Sequence, residues 1–343
     1  MYNIEHEIRD QFNAIDKTID QVLSQKEEIC TLLSKVRSLL VIGCGSSFSV
    51  AKSTAMQFAQ YSGIPAYPLP AGDLLVNFED YGGMLSDAAI LSLSRSGSTS
   101  EAVRAAERSR KEFGCPVISV CAVKDSPIEP VADVNVIIPW AFDEAVCQSR
   151  TVTNLYIAGL VMAALKGGRE DLIQAVKKLH PASQEFAGPV EELAREYAEK
   201  GWSKAVVLCD SAAAGLAEEG ALAFKEICRR DSNHYHLLDV RHGPMVKIDE
   251  NTLVVAYLSK GDFGLQADLI KDVAKRTDCL LVCSAVAEAE QLDGKYVRIP
   301  DCGADVVNAV FMQYCIQLIT MYHAFHRGVN PDSPEGLDAW IKL

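Results

Sequence analysis

The sequence predicts an α/β protein built from two topologically similar, doubly wound parallel sheets preceded by an N-terminal helix. Short apolar runs are repeatedly followed by a turn and an amphipathic helical pattern, as expected of strand–turn–helix units in a parallel sheet. The second half repeats the first at nearly constant spacing, since Ser94 and Ser259 lie 165 positions apart and Cys115 and Cys279 lie 164 apart. With 343 residues, 49% of them apolar, 23% charged and 7% aromatic, the chain is long enough for two globular domains.

The first element is a helical segment over residues 1–36. Its apolar residues recur mostly at steps of three and four with charged residues between them, which predicts one long or broken amphipathic helix. These residues are Ile4, Ile8, Phe12, Ile15, Ile19, Val22, Leu23, Ile29, Leu32 and Val36. The pattern divides the remaining chain into a first subdomain (37–165), a helical connector (166–200), a second subdomain (201–329) and a tail (330–343).

The first subdomain begins with two strand–turn–helix units. Their apolar runs lack alternation, as in strands buried on both faces of a parallel sheet. Ser98 and Glu101 have the spacing of a capping box, so we expect them to begin the second helix. The predicted elements are a strand over Leu39–Ile42, a helix over Val50–Tyr61, a strand over Ala88–Leu93, a helix over Ser100–Phe113 and a strand over Val117–Cys121.

The second subdomain has the same order of elements. A buried strand leads through a turn of small residues into a helix, and a second strand leads through Ser259-Lys260-Gly261 into another helix. The predicted elements are strands over Ala205–Leu208, Leu253–Leu258 and Leu280–Cys283, with a helix over Leu265–Arg276.

Charge and cysteine content restrict the possible partners. The net charge is −13 and no run of Lys or Arg exceeds two residues, so nucleic acid is an unexpected partner. Eleven cysteines are scattered singly without a CxxC pair, which indicates a reducing compartment, with the cytoplasm as the expected location, and no zinc site.

The N-terminus lacks the features of a signal peptide, and the apolar stretch over residues 306–322 is interrupted by Asn308, Gln313 and Gln317, so we expect no membrane span.

Two turns that follow predicted strands of the first subdomain are rich in hydroxyl groups. One carries Ser46 and Ser47, and the other carries Ser94, Ser96 and Thr99. In an open parallel sheet such turns lie at the carboxyl edge, where helix N-termini offer free amides, so the two turns predict a cradle for a small phosphate dianion. Serine- and glycine-rich turns are also ordinary helix caps, and neither turn has the spacing of a P-loop or a dinucleotide fingerprint.

Several short motifs, taken in order, closely resemble the sugar isomerase (SIS) family, including the isomerase portion of glucosamine-6-phosphate synthases. They span almost the whole chain, and the ordered set is more specific than any single motif. The motifs are Glu7-Ile8-Arg9-Asp10-Gln11-Phe12-x-Ala14-Ile15, Cys44-Gly45-Ser46-Ser47, Ser94-x-Ser96-Gly97-x-Thr99, Glu144-x-x-x-x-Ser149, Lys225-Glu226-Ile227, Arg241-His242-Gly243-Pro244 and Asn330-Pro331-Asp332-Ser333-Pro334.

The resemblance implies a sugar 6-phosphate ligand and at least a dimer, because in this family residues of the His242 type reach into a neighbouring subunit's site. It implies no metal and no organic cofactor. The implied substrate- or phosphate-binding residues are Cys44, Gly45, Ser46, Ser47, Ser94, Arg95, Ser96, Thr99, Glu144 and Ser149.

The resemblance also assigns the proton-transfer residues. Glu226 is implied as the base that moves a proton between C1 and C2, and His242 as the residue that assists ring opening. A carboxylate and a separate acid are the groups that proton abstraction beside a carbonyl requires. The ordinary alternatives are a solvated helix glutamate and a structural loop histidine. His234 and His236 alternate on an extended stretch without a third ligand nearby, so we interpret them as structural.

The sequence departs from the synthases at positions that carry charge. Arg95 replaces a glutamine and either adds affinity for a second anionic group or is a solvated surface side chain. Ala223 and Ala339 occupy the places of two lysines, Glu335 replaces a tail arginine, and Lys342 is out of register. We also expect no glutamine-hydrolysing module, because the N-terminus has no cysteine nucleophile.

Loss of both lysines with retention of Glu226 and His242 favours a ketosamine-6-phosphate deglycase, and the chain also resembles the single-chain members of that class. The alternatives are an aldose–ketose phosphosugar isomerase, an amino-sugar phosphate deaminase, or a non-catalytic sugar-phosphate sensor. The tail with Trp340 is expected either to close over the ligand or to pack on the core.

Overall fold

The computed structural model of the chain describes residues 2–338. Within it the chain forms two compact units. Unit A consists of residues Arg9–Lys177, and unit B consists of the residues up to Ile8 together with Lys178–Leu337. The predicted tail residues Ala339, Trp340 and Lys342 lie outside the described residues.

Strands and helices alternate along both units. The strands are β1 (Ser38–Gly43), β2 (Ala66–Pro70), β3 (Ala88–Ser94), β4 (Val117–Cys121), β5 (Val134–Ile137), β6 (Lys204–Leu208), β7 (Asp231–Tyr235), β8 (Thr252–Leu258), β9 (Leu280–Ser284) and β10 (Lys295–Arg298). The helices are α1 (Asn3–Ser24), α2 (Lys26–Leu33), α3 (Ser46–Tyr61), α4 (Ala71–Val76), α5 (Gly82–Leu85), α6 (Ser100–Phe113), α7 (Arg150–Gly167), α8 (Glu170–Val176), α9 (Leu179–Ala198), α10 (Ala214–Glu226), α11 (Phe263–Ala274) and α12 (Asp305–His326).

The sheet of unit A has the strand order β2-β1-β3-β4-β5, and every neighbouring pair is parallel. The chain therefore winds from β1 outward to β2 and then returns past β1 to β3. The direction of winding changes between β1 and β3, where Ile42 lies opposite Ser92. Ligand sites of open parallel sheets form at such a switch point, beyond the carboxyl ends of the two strands.

The sheet of unit B repeats this arrangement, with the order β10-β9-β8-β6-β7 and parallel pairing throughout. Its central strand β8 is buried along its whole length, as is β3 in unit A. Because each half has its own five-stranded sheet in the same order, the predicted fold class of two similar doubly wound sheets with an N-terminal helix is confirmed.

One local expectation is confirmed and one needs correction. The N-terminal helical segment has the broken form of the prediction, because α1 ends at Ser24 and α2 begins at Lys26. Helix α6 begins at Ser100 as predicted, but its N-cap is Thr99 and no capping box forms. The hydroxyl of Ser98 instead donates to the carbonyl of Ser96 at 3.1 Å, so Ser98 stabilises the preceding turn and does not cap the helix.

Helix α12 carries the long apolar stretch near the end of the chain and packs against α9 and α10 within unit B. Its polar residues have buried partners: Asn308 accepts from the amide of Cys302 at 2.8 Å, and Gln313 donates to the carboxylate of Glu219. Over residues 2–338, no helix combines the length and apolar character that a bilayer crossing requires.

Candidate functional site

The two hydroxyl-rich turns of unit A lie side by side at the switch point of its sheet. One turn connects β1 to α3 and contains Cys44 and Gly45, and the other follows β3 and leads into α6. Because β1 and β3 are hydrogen-bonded neighbours running in parallel, both turns emerge at the same edge. Ser46, Ser47, Ser94 and Ser96 are all buried there.

The β1–α3 turn brings the strand unusually close to the helix that follows it. A Cβ atom added at Gly43 would lie 2.6 Å from the backbone carbonyl of Ser47, so only glycine allows this approach. Gly45 has φ +53°, and no side chain caps α3. The amides of Ser47 and Phe48 donate to the backbone carbonyls of Cys44 at 3.1 Å and Gly45 at 2.9 Å. Burial, aided by the charge of Glu101, raises the pKa of Cys44 to about 11, so this thiol stays protonated near neutral pH.

The β3–α6 turn has an internal hydrogen-bond pattern that leaves hydroxyl protons available. The Oγ of Ser94 accepts from the amide of Gly97 at 3.0 Å, and the Oγ of Ser96 accepts from the amide of Ser98 at 3.1 Å. A serine hydroxyl has one proton to donate besides its acceptor lone pairs. Each of these hydroxyls can therefore donate to an anion while it accepts from the turn. Thr99 is the N-cap of α6, and it too makes no side-chain capping bond.

Arg95 does not have a solvated side chain, and that alternative from the sequence is wrong, since the residue is only 4% exposed. Its Nη1 donates to the backbone carbonyl of Ala145 at 2.6 Å and to that of Asp143 at 3.4 Å. The guanidinium thus links the β3–α6 turn, which we call the serine turn, to the segment that follows β5.

The segment after β5 contains an acidic residue that sequence reasoning did not identify. The buried carboxylate of Asp143 accepts from the amides of Ser149 at 2.8 Å, Thr151 at 2.9 Å and Arg150 at 3.2 Å, and so it caps α7. Burial raises the pKa of Asp143, while these amides and the charge of Arg150 act in the opposite direction. Glu144 is exposed and Ser149 is buried. The sequence signal that could have identified Asp143 is an acidic residue a few positions before the start of a helix.

Unit B carries the two residues expected to transfer protons. Glu226 is the last residue of α10 and is partly exposed. His242 is exposed in the turn between two 3-10 helices, and Arg241 before it pairs with Asp272 at 2.7 Å. The fully buried acid of α10 is Glu219, which hydrogen-bonds to Gln313. Sequence reasoning missed Glu219, although it lies two turns before Glu226 among small residues.

His234 and His236 make hydrogen bonds within unit B. The ring Nε2 of His234 lies 3.1 Å from the carbonyl of Cys209, and Nδ1 of His236 lies 2.9 Å from a carboxylate oxygen of Asp210. Burial lowers the pKa of His234, which favours its neutral form. No group of three or more His, Cys, Asp or Glu residues suited to a metal ion occurs among residues 2–338.

Comparison with known proteins identifies the domain type. Residues 32–164 match the SIS domain family. The chain is 22% identical to glutamine–fructose-6-phosphate aminotransferase (isomerizing) from Francisella tularensis, over 96% of this chain and 57% of that protein. It therefore spans little more than half the length of this curated relative.

Solved structures with the same fold include two enzymes of nearly the same length. Tagatose-6-phosphate ketose/aldose isomerase from Escherichia coli is 20% identical, with a TM-score of 0.86 and coverage of 98% of this chain and 95% of that one. Glucosamine-6-phosphate deaminase from Thermotoga maritima is 21% identical, with a TM-score of 0.74 and coverage of 95% and 100%. The resemblance to the SIS family is thus confirmed, and the chain contains a SIS domain.

Proposed function

We propose that this SIS-domain protein is an enzyme that binds a sugar 6-phosphate at the β1/β3 edge of unit A and moves a proton between C1 and C2. The particular enzyme that we propose is a ketosamine-6-phosphate deglycase, which releases an amine and glucose 6-phosphate. The observation that carries the proposal is the pair of buried serine turns on neighbouring parallel strands at the switch point of the sheet.

The physical basis of phosphate binding is a set of neutral donors. Ser47, Ser94, Ser96 and Thr99 supply hydroxyl protons, with the backbone of Cys44, Gly45, Ser46 and Arg95 around them. Amides at the uncapped starts of α3 and α6 add positive potential from two helix N-termini. Such a site suits an acidic protein, because it binds a dianion without a patch of cationic side chains.

The proposed reaction is a proton relocation followed by hydrolysis. His242 assists ring opening, which exposes the C2 carbonyl of the ketosamine. The Glu226 carboxylate takes a proton from C1 while the C2 oxygen is protonated, which gives an enolamine. That enolamine receives a proton at C2 and the amine nitrogen gives one up, so that C1 becomes a Schiff base with the amine and C2 an alcohol. Water then adds to C1 and the amine leaves, giving glucose 6-phosphate with one water consumed.

The alanine at position 223, where the resembled synthases have a lysine, supports hydrolytic release of the amine. Ala223, which lies one helical turn before Glu226, is buried and offers no amine that could form its own Schiff base with the sugar. The second position, Ala339, and the proposed lid residue Trp340 lie outside the described residues. Glu144 and Ser149 are proposed to contact the sugar.

A second candidate function is an aldose–ketose isomerase or an amino-sugar phosphate deaminase acting through the same two residues. It is favoured by the near-complete coverage of a tagatose-6-phosphate isomerase and a glucosamine-6-phosphate deaminase, each about as long as this chain. A sensor that only binds sugar phosphates would need the serine turns but neither Glu226 nor His242.

One panel of ligands separates these functions. The full chain is incubated with a fructose-amino acid 6-phosphate, tagatose 6-phosphate, fructose 6-phosphate and glucosamine 6-phosphate in deuterated water. The deglycase proposal expects release of glucose 6-phosphate and free amine from the first compound. Aldose–ketose interconversion alone, or release of ammonia from glucosamine 6-phosphate alone, would identify the second candidate. Thermal stabilisation without turnover or deuterium incorporation would indicate a sensor.

The proposal includes a homodimer, or a larger homo-oligomer, with shared active sites. It is supported by the exposure of His242 and of two apolar neighbours in the same segment, Leu238 and Val246. A mixture of subunits carrying Glu226→Gln and subunits carrying His242→Asn is expected to recover activity, because some sites would then combine two intact residues. A fully active monomer in sedimentation would contradict the shared site.

A further inference from the structure

We infer that Arg95 is a positioning residue whose guanidinium fixes the backbone on both sides of Glu144 and does not bind an anionic group of the substrate. The inference deepens the proposed function and rests on it only for the sugar-binding measurement below. It assigns to Arg95 a task that a glutamine at this position in the resembled proteins would not perform in the same way, because the arginine side chain is longer and its donor nitrogen is positively charged.

Arg95 connects two segments of unit A, and the first of them is the serine turn to which it belongs. Arg95 lies between Ser94 and Ser96, and its carbonyl accepts from the amide of Ala122 at 2.9 Å, which ties the turn to the end of β4. Its backbone is therefore held in place independently of its side chain. The guanidinium therefore extends from a fixed backbone, and the groups that it hydrogen-bonds are held relative to the serine turn.

The guanidinium contacts two carbonyls that flank one residue. Nη1 donates to Ala145 at 2.6 Å and to Asp143 at 3.4 Å, and Glu144 is the exposed residue between them. The peptide group that precedes Glu144 and the one that follows Ala145 are thus both held, which restricts the backbone of the short segment between them. The guanidinium also lies 6.0 Å from the ring of Phe142, within the range of a cation–π contact.

The far end of the connection is the start of α7. Asp143 is one of the two residues whose carbonyls accept from Arg95, at 3.4 Å, and its carboxylate accepts from the amides of Ser149 and Thr151. One residue thus joins Arg95 to the helix that begins at Arg150. Loss of the guanidinium should loosen this segment and expose those amides to solvent more often.

Burial argues that these contacts are the main task of the side chain. Arg95 is only 4% exposed as a residue, so its charged side chain has lost most of its hydration, and that loss must be compensated by hydrogen bonds to fixed acceptors. Carbonyl oxygens provide that compensation. Rotating the side chain toward a substrate carboxylate would break both bonds and leave the two carbonyls without this donor.

Hydrogen exchange of the ligand-free full chain tests the inference without assuming any activity. In Arg95→Gln and in Arg95→Lys, the amides of Ser149 and Thr151 are expected to exchange about tenfold faster than in the parent, with the rest of unit A unchanged. Arg108→Gln is the matched control, because it removes a positive charge from α6 whose partners are the exposed Glu79 and Glu112. Should Arg95→Gln not fold cooperatively, Arg95→Lys decides.

Titration with inorganic phosphate and with glucosamine 6-phosphate completes the test. Arg95→Lys keeps the charge and loses the fork, so its affinity for phosphate is expected to stay within about threefold, while glucosamine 6-phosphate weakens by about tenfold. Unchanged exchange at Ser149 and Thr151 in both variants, or a loss of phosphate affinity beyond tenfold in Arg95→Lys, would overturn the inference. If the parent binds neither ligand, the proposed function fails, and the exchange measurement still decides the role of Arg95.

Discussion

Gly97 packs directly against the side chain of Ser126. A Cβ atom at position 97 would lie 2.5 Å from the Ser126 hydroxyl oxygen and 2.8 Å from its Cβ, closer than real contacts allow. Gly97 also has φ +62°, and its carbonyl accepts from the amide of Ile128 at 3.1 Å. The serine turn is therefore held against the segment after β4 by a contact that only glycine permits.

Replacement of Gly97 by alanine is expected to lower the free energy of unfolding by about 2 to 4 kcal/mol, from left-handed backbone strain together with overpacking. The displaced turn should also lose phosphate affinity. Urea denaturation and phosphate titration measure the two effects. Gly114→Ala is the control, because Gly114 also has positive φ, at the other end of α6, but has open space around its Cβ position. It should cost about 1 kcal/mol and leave phosphate binding intact, and equal effects of the two variants would contradict the packing argument.

Removal of a hydroxyl from the serine turn should weaken phosphate binding. Ser94→Ala and Ser96→Ala each delete a hydroxyl proton that the turn does not use, so each is expected to lower phosphate affinity by about tenfold to a hundredfold. Ser98→Ala is the control, since the Ser98 hydroxyl already donates to the carbonyl of Ser96. Calorimetric titration distinguishes them, and an effect of Ser98→Ala as large as the others would argue against direct donation.

The proposed proton transfer predicts that Glu226→Gln and His242→Asn retain phosphosugar binding but lose turnover by about a hundredfold or more. The reason is that neither side chain belongs to the serine turns that bind the phosphate. Glu250→Gln, which changes an exposed acid in a loop of unit B, serves as the control. Initial rates and solvent deuterium incorporation are measured together, and full activity of Glu226→Gln would remove Glu226 from the mechanism.

His323 is buried in unit B in its neutral form. Its Nδ1 lies 2.7 Å from the carbonyl of Ala198, its Nε2 accepts from Arg230 at 3.0 Å, and its ring stacks on Trp202 with centroids 3.9 Å apart. Burial lowers the pKa of His323 to about 4, and the nearby charges of Arg230 and Arg327 act in the same direction. Protonation would remove the acceptor that Arg230 uses.

This histidine predicts a loss of stability in mild acid. Because its pKa is lower in the folded than in the unfolded chain, its contribution is fully present above about pH 6.5 and is lost as the pH falls toward 4, by up to about 3 kcal/mol. His323→Gln should flatten this part of the pH profile of unfolding free energy. An unchanged profile in His323→Gln would contradict the assignment.

The central strands could be predicted from sequence because burial on both faces of a parallel sheet requires continuous apolar runs. The run over Ala88–Leu93 became β3, and the helix over Ser100–Phe113 has the predicted bounds. Four strands, β2, β5, β7 and β10, were not predicted as strands, and each lies at an edge of its sheet. Edge strands are only partly buried, so their sequences alternate or contain proline, and the apolar signal is weak.

The order of the central strands and helices along the chain, and the position of the serine turns after β1 and β3, could thus be predicted from the sequence. The reason is that apolar periodicity and turn chemistry act between near neighbours in the chain. The contacts of Arg95 with Asp143 and Ala145 were decided only by the tertiary structure, as was the burial of His323 against Trp202. In these cases the partner of a charged or polar group comes from another element. Nothing in the spacing of residues along the chain specifies which groups a fold brings within hydrogen-bond distance.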